Sequence, residues 1–181
     1  MPGMDMGASG NPAALVLAEI TLFWGVTLLH MIRLLFVTRL SLANQVEDIA
    51  HMAMGTGMTV MVFPGVPMGV MRASAVVFAL LAAVFFTHAG YGRGGHRCQS
   101  AAIGAGQAAM AYMFAAPAHP PTWLPPSVAG VLAVCALVHG RQLIGARNRA
   151  SVTGASRMLL TLPHAGTLMT TAAMAWMIAA A

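Results

Sequence analysis

Residues 70–89 read VMRASAVVFALLAAVFFTHA. One charge near the start, Arg72, and one imidazole near the end, His88, flank a core of alanine, valine, leucine and phenylalanine, with Ser74 and Thr87 at its ends and no glycine or proline. About 20 such residues wound as a helix span the hydrocarbon layer of a bilayer. The run is apolar on every face, so as a helix it has no side suited to water.

Five further stretches resemble it on either side: residues 13–37, 49–63, 100–116, 124–143 and 158–181. The second and fourth are short for a span, which predicts helices shielded by neighbours or standing nearly upright. The breaks carry turn chemistry. Asn11-Pro12 offers a cap and a first-turn proline, Pro64-Gly65-Val66-Pro67 a tight hairpin, and 91–95 and 117–126 are rich in glycine and proline. The expected fold is all-α: a polytopic transmembrane bundle of about six helices, one domain over 1–181, with 1–11 as a short extracytoplasmic tail.

Composition agrees. The 181 residues are 59% hydrophobic and 7% charged, too few charges to cover a surface in water. All nine basic residues are arginine, set against four acids, for a net charge of +5. They fall mostly in short connections, a pattern of lipid headgroup contact and topology control that does not suit nucleic acid. Cys98 and Cys135 lie in different settings and make no disulfide framework. No basic residue precedes the first apolar run, which therefore reads as a retained helix and not a cleaved leader.

Arg39, Arg93, Arg97, Arg141, Arg147, Arg149 and Arg157 occupy the first, third and fifth connections, with Arg72 on the opposite side. The positive-inside rule makes those connections cytoplasmic and both termini extracytoplasmic, in a cell (inner or plasma) membrane.

Sixteen methionines are several times the usual share. Chance placement, 178 × (16/181)², gives about 1.4 pairs three apart. Five occur: Met1/Met4, Met58/Met61, Met68/Met71, Met110/Met113 and Met174/Met177. Three of them sit in helices two, four and six, in similar surroundings: Gly57-Met58-Thr59-Val60-Met61, Ala109-Met110-Ala111-Tyr112-Met113 and Ala173-Met174-Ala175-Trp176-Met177. Residues three apart share a helix face, so three adjoining helices bring six thioethers to one space. Thioether sulfur is a soft, uncharged ligand suited to Cu(I). The competing reading is that methionine simply fills gaps in an apolar core.

Histidines form a second pattern. On helix two, His51, Met54, Met58 and Met61 make one stripe; on helix six, His164, Thr167, Thr171 and Met174 repeat its spacing. Ionisable groups inside a membrane default to a functional reading, so His51 and His164 are candidate deeper metal ligands, or a haem b ligand pair. His30, His88 and His139 read as helix ends at the headgroups. Glu19 is the one acid well inside a run, with Arg72 as its natural partner, and Glu47 and Asp48 suit a helix N-terminus. His96-Arg97-Cys98 is a weak metal signal on the inner side. No phosphate loop, zinc-protease motif or nucleophile elbow is present, so no catalytic residue is assigned and an enzyme is not expected.

The segments Met54-Gly55-Thr56-Gly57-Met58-Thr59-Val60-Met61, 109–113 and 173–177 resemble a family of small actinobacterial membrane proteins classed as a domain of unknown function. Its members tend to repeat such helices. The resemblance runs from helix two to the end and implies topology, with no activity. Ser100 and Gln107 stand in helix four where a further ligand is sought, which leaves the ligand number open.

Three readings follow. The first is a membrane protein binding or passing Cu(I) through Met58, Met61, Met110, Met113, Met174 and Met177, with His51 and His164 deeper. The second is a non-catalytic accessory subunit of a larger membrane complex, such as a respiratory one, or a homo-oligomer, with Gly55, Gly57, Gly104 and Gly106 permitting close helix contact. The third is a haem-carrying electron-transfer protein. The bilayer is a partner in all three.

Overall fold

The computed structural model describes residues 13–36, 41–63, 65–91, 95–115, 121–153 and 157–180. Met1, Met4, Met6, Asn11, Pro12 and His119 lie outside them. Six helices follow in order: α1 (Ala13–Phe36), α2 (Leu42–Val62), α3 (Met68–Tyr91), α4 (Gly95–Ala115), α5 (Leu124–Thr153) and α6 (Arg157–Ala180). No strand occurs among the described residues. The all-α expectation holds.

Four helices, α2 to α5, are longer than their hydropathy runs. α2 and α4 each have 21 residues, about 31 Å of helix. Both start before the apolar stretch, taking in Asn44, Gln45, Glu47 and Asp48 in one case and Arg97 to Gln99 in the other. Glu47 and Asp48 turn inward onto neighbouring helices, so polarity there does not mean loop. Ser41 caps α2, its Oγ accepting from the Asn44 N–H at 3.3 Å. α5 also overruns its apolar stretch, continuing to Thr153.

The local stops match the turn chemistry. Gly65 takes φ +80° in the α2–α3 hairpin, a left-handed conformation that favours glycine, and the Pro67 carbonyl accepts from the Val70 and Met71 N–H groups as α3 begins. Pro125 and Pro126 occupy the first turn of α5, where a missing N–H costs no helix bond.

Consecutive helices pair as hairpins: α1 on α2, α3 on α4 and α5 on α6. Each is antiparallel; Phe78 stacks on Phe114 while Phe85 and Phe86 meet Gly104. The hairpins associate through α2 and α4, which touch each other, with α2 and α1 also against α6 and α4 against α5. Helices α2, α4 and α6 run in one direction. Gln99 reaches Glu47, Gln107 reaches Ala50, and Met54 and Met174 meet beside Gly106 further along.

Val16–Phe36, Met68–Tyr91 and Leu124–Gly145 are long and apolar enough to cross a membrane. They belong to α1, α3 and α5, whose outer faces expose Leu28, Ile32, Val76, Leu80, Val134 and Leu137. Their partners α2, α4 and α6 bury much of the polar chemistry.

Candidate functional site

The core divides into two layers along α2. Toward its C-terminal half, Met54 and Met58 are buried together with Met110 of α4 and Met174 of α6, each no more than 1% exposed. Phe23, Phe78 and Phe114 fill the same cluster, and half-buried Met61, Met113 and Met177 pack against it. All six methionines singled out by spacing therefore reach one hydrophobic cluster. Close backbone approach makes this possible. A Cβ on Gly106 would stand 3.0 Å from Met54 Sδ and 3.6 Å from Met174 Cε.

Toward the N-terminal half of α2 the core is polar. Asp48 is fully buried, and one of its oxygens accepts from His30 Nδ1 at 2.7 Å and from Arg33 Nη1 at 2.9 Å. The His30 and His51 rings stack with centroids 4.7 Å apart and planes 7° from parallel. His51 Nδ1 lies 2.7 Å from the Glu47 carbonyl oxygen, which can only accept, so Nδ1 carries the proton. Its Nε2 faces the Thr167 hydroxyl of α6 at 2.8 Å. Gln99 and Gln107 donate from α4 to the Glu47 carboxylate and the Ala50 carbonyl. His30, Asp48, Gln107 and His139 each keep one buried polar atom without a hydrogen-bond partner.

The stripe His51, Met54, Met58, Met61 faces inward as its spacing predicted, buried over its first three members and half-buried at the last. So does His164, Thr167, Thr171, Met174, with His164 half-buried and engaged with neighbours. Among the described residues no group of three or more His, Cys, Asp or Glu is placed to hold a metal ion.

Three expectations are corrected. No ion pair joins Glu19 to Arg72 among the described residues: α1 packs on α2 and α6 while α3 packs on α4, and Arg72 is exposed. His30 and His139 do not end their helices at a surface; they are 3% and 2% exposed, whereas His88 is exposed. Glu47 and Asp48 do more than favour a helix start, since both are buried in the polar layer. The side chain of His96 lies outside the described residues, and Cys98 is exposed.

Arg33 was the residue most easily overlooked. The signal available was a pair of spacings: His30 and Arg33 three apart on α1, Asp48 and His51 three apart on α2, separated by one hairpin connection.

A profile of the domain of unknown function DUF5134 matches residues 43–181. The chain belongs to the DUF5134 family. The match opens in the first turn of α2 and takes in both stripes, so the polar layer's Asp48 and His51 and every buried methionine named above lie inside the DUF5134 region. His30 and Arg33 of α1 precede it. No curated protein and no solved structure matches the chain.

Proposed function

We propose that this DUF5134 protein is a multi-pass protein of the inner (plasma) membrane that binds Cu(I), or passes it along, through its buried thioethers. The observation that carries the reading is the convergence of Met58, Met110 and Met174, from three helices running in one direction, in a single buried cluster. Met61, Met113 and Met177 stand one turn further along the same helices. Three or four soft, neutral sulfurs suit Cu(I) and do not titrate. His51 and His164 lie on the polar side of this cluster as deeper candidates. A haem at His51 would have to take Nε2 away from Thr167.

Membrane residence is supported by the three apolar helices and by their exposed leucine, isoleucine and valine side chains, which lipid tails accept and water does not. The arginine distribution supports cytoplasmic connections after α1, α3 and α5 and both termini outside.

Copper bound by the purified full chain under reducing conditions tests this reading. Replacement of Met58, Met61, Met110, Met113, Met174 and Met177 by leucine is expected to abolish tight binding. Unchanged stoichiometry and affinity in that variant would end it.

A second reading, an accessory subunit of a larger membrane complex, is favoured by one feature. A shallow groove of about 720 Å³ runs along α5 and α6, its lining including Ala129, Ala133, Ala136, Gly140, Ala172 and Trp176. Small residues of this kind let a foreign helix approach closely. Extraction in mild detergent distinguishes the two: a lone monomer argues against the subunit.

A further inference from the structure

Spacing groups six methionines into three Met-x-x-Met pairs on α2, α4 and α6, but burial divides the methionines differently. Four are withdrawn from the surface, Met54, Met58, Met110 and Met174, while Met61, Met113 and Met177 are only half-buried. The fourth deep residue, Met54, has no partner three away in the sequence and so escapes the pair count.

Its placement is specific. Met54 precedes Met58 by one helical turn, and Gly106 precedes Met110 by one turn on α4. The point where a Gly106 Cβ would stand lies 3.0 Å from Met54 Sδ, 3.8 Å from Met54 Cε and 3.6 Å from Met174 Cε. The bare backbone of α4 therefore lets the α2 and α6 methionines approach the same spot. On the next turn, the point where a Gly57 Cβ would stand lies 2.7 Å from Met110 Cε, so α2 opens to the α4 methionine in the same way.

We propose that Met54 is the fourth sulfur ligand of the deep Cu(I) site, with Met58, Met110 and Met174, and that Gly106 is the positioning residue that sets its distance from Met174. This assignment rests on the Cu(I) reading above. It adds a ligand that the repeat pattern lacks, and it distinguishes a closed four-sulfur site from the half-buried methionines beside it. A methyl at Gly106 is tolerable to the fold, because the nearest atoms belong to a flexible thioether, yet it must push the Met54 sulfur aside.

The test is Cu(I) competition against a chromophoric chelator, with X-ray absorption to count sulfur neighbours, on the full chain in detergent under reducing conditions. Met54→Leu is expected to lower the sulfur count from four to three and weaken Cu(I) binding at least about tenfold. Gly106→Ala is expected to weaken binding by about tenfold, as changes behind a metal ligand do, with four sulfurs retained or the fourth lengthened. Met169→Leu, altered at an exposed α6 position, serves as the control for a methionine outside the cluster. Copper bound by Met54→Leu with unchanged affinity and sulfur count overturns the fourth ligand and leaves Cu(I) binding standing. No copper bound by the unaltered chain overturns both.

Discussion

Asp48 and His30 meet across the first hairpin, carboxylate oxygen to ring nitrogen at 2.7 Å, and both side chains are withdrawn from the surface. Arg33 reaches the same oxygen at 2.9 Å, one turn along α1 from His30. A buried carboxylate with a guanidinium partner is costly to desolvate and more costly to break, because removing one charge strands the other. This contact ties the first two helices together at the end away from the methionines.

Asp48→Ala is therefore expected to destabilise the chain by about 3 kcal/mol. Replacing both charges, Arg33→Met with Asp48→Met, is expected to recover more than half of that loss. Thermal unfolding in detergent micelles provides the comparison. A double variant no more stable than Asp48→Ala would show that the pair's own attraction, and not the stranded charge, dominates.

Helix packing in the methionine layer depends on missing side chains. A Cβ at Gly57 would lie 2.7 Å from Met110 Cε and 2.7 Å from the Phe78 ring, whereas a Cβ at Gly69 meets nothing within 4 Å. Gly57→Ala is expected to cost about 1–3 kcal/mol through overpacking. Gly69→Ala, inside the first turn of α3, should be neutral or stabilise by up to about 1 kcal/mol through helix propensity. The same unfolding experiment decides; equal effects at the two sites would contradict the close approach at Gly57.

Much of this architecture was legible because helices apolar enough to cross a membrane announce themselves. α1, α3 and α5 are apolar around most of their circumference, and turn residues separate them. α2 and α4 were cut short because Glu47, Asp48 and Gln99 look like the end of an apolar run. In a bundle their polar groups can face one another, as Gln99 and Glu47 do at 2.7 Å, and hydropathy along one strand of sequence does not register that pairing. The methionine cluster was legible from spacing, since a three-residue period fixes a helix face. The polar layer was not: the spacings His30/Arg33 and Asp48/His51 mark one face on each helix, and only the folding of α1 onto α2 makes those faces neighbours. Glu19 and Arg72 failed as a pair for the converse reason, being complementary in charge on helices that pack on different partners.

Lipid contact can be read from tryptophan. Trp24 is 48% exposed near the midpoint of α1, about 17 Å from either end, while Trp123 is 65% exposed just before α5. In bilayers containing lipids brominated deep in their tails, Trp24 fluorescence is expected to be quenched strongly and Trp123 weakly. Single-tryptophan variants, with the other two replaced by phenylalanine, give the separate signals. Equal quenching at both positions would argue against α1 as a span.

The half-buried methionines offer the last test, because under the Cu(I) reading they are an entrance and not the resting site. Met61, Met113 and Met177 pack against the deep cluster from one turn away, so a metal arriving from that end of the bundle would meet them before Met58, Met110 or Met174. Leucine is close to methionine in volume, so the triple replacement should cost the fold less than about 1.5 kcal/mol per site. Under the Cu(I) reading, the triple variant is expected to load about tenfold more slowly, equivalent to about 1.4 kcal/mol on the barrier, and to reach the unaltered final stoichiometry. Stopped-flow transfer from a Cu(I)–chelator complex measures both quantities. An unchanged rate with reduced stoichiometry would make these three methionines ligands of the resting site instead of its entrance.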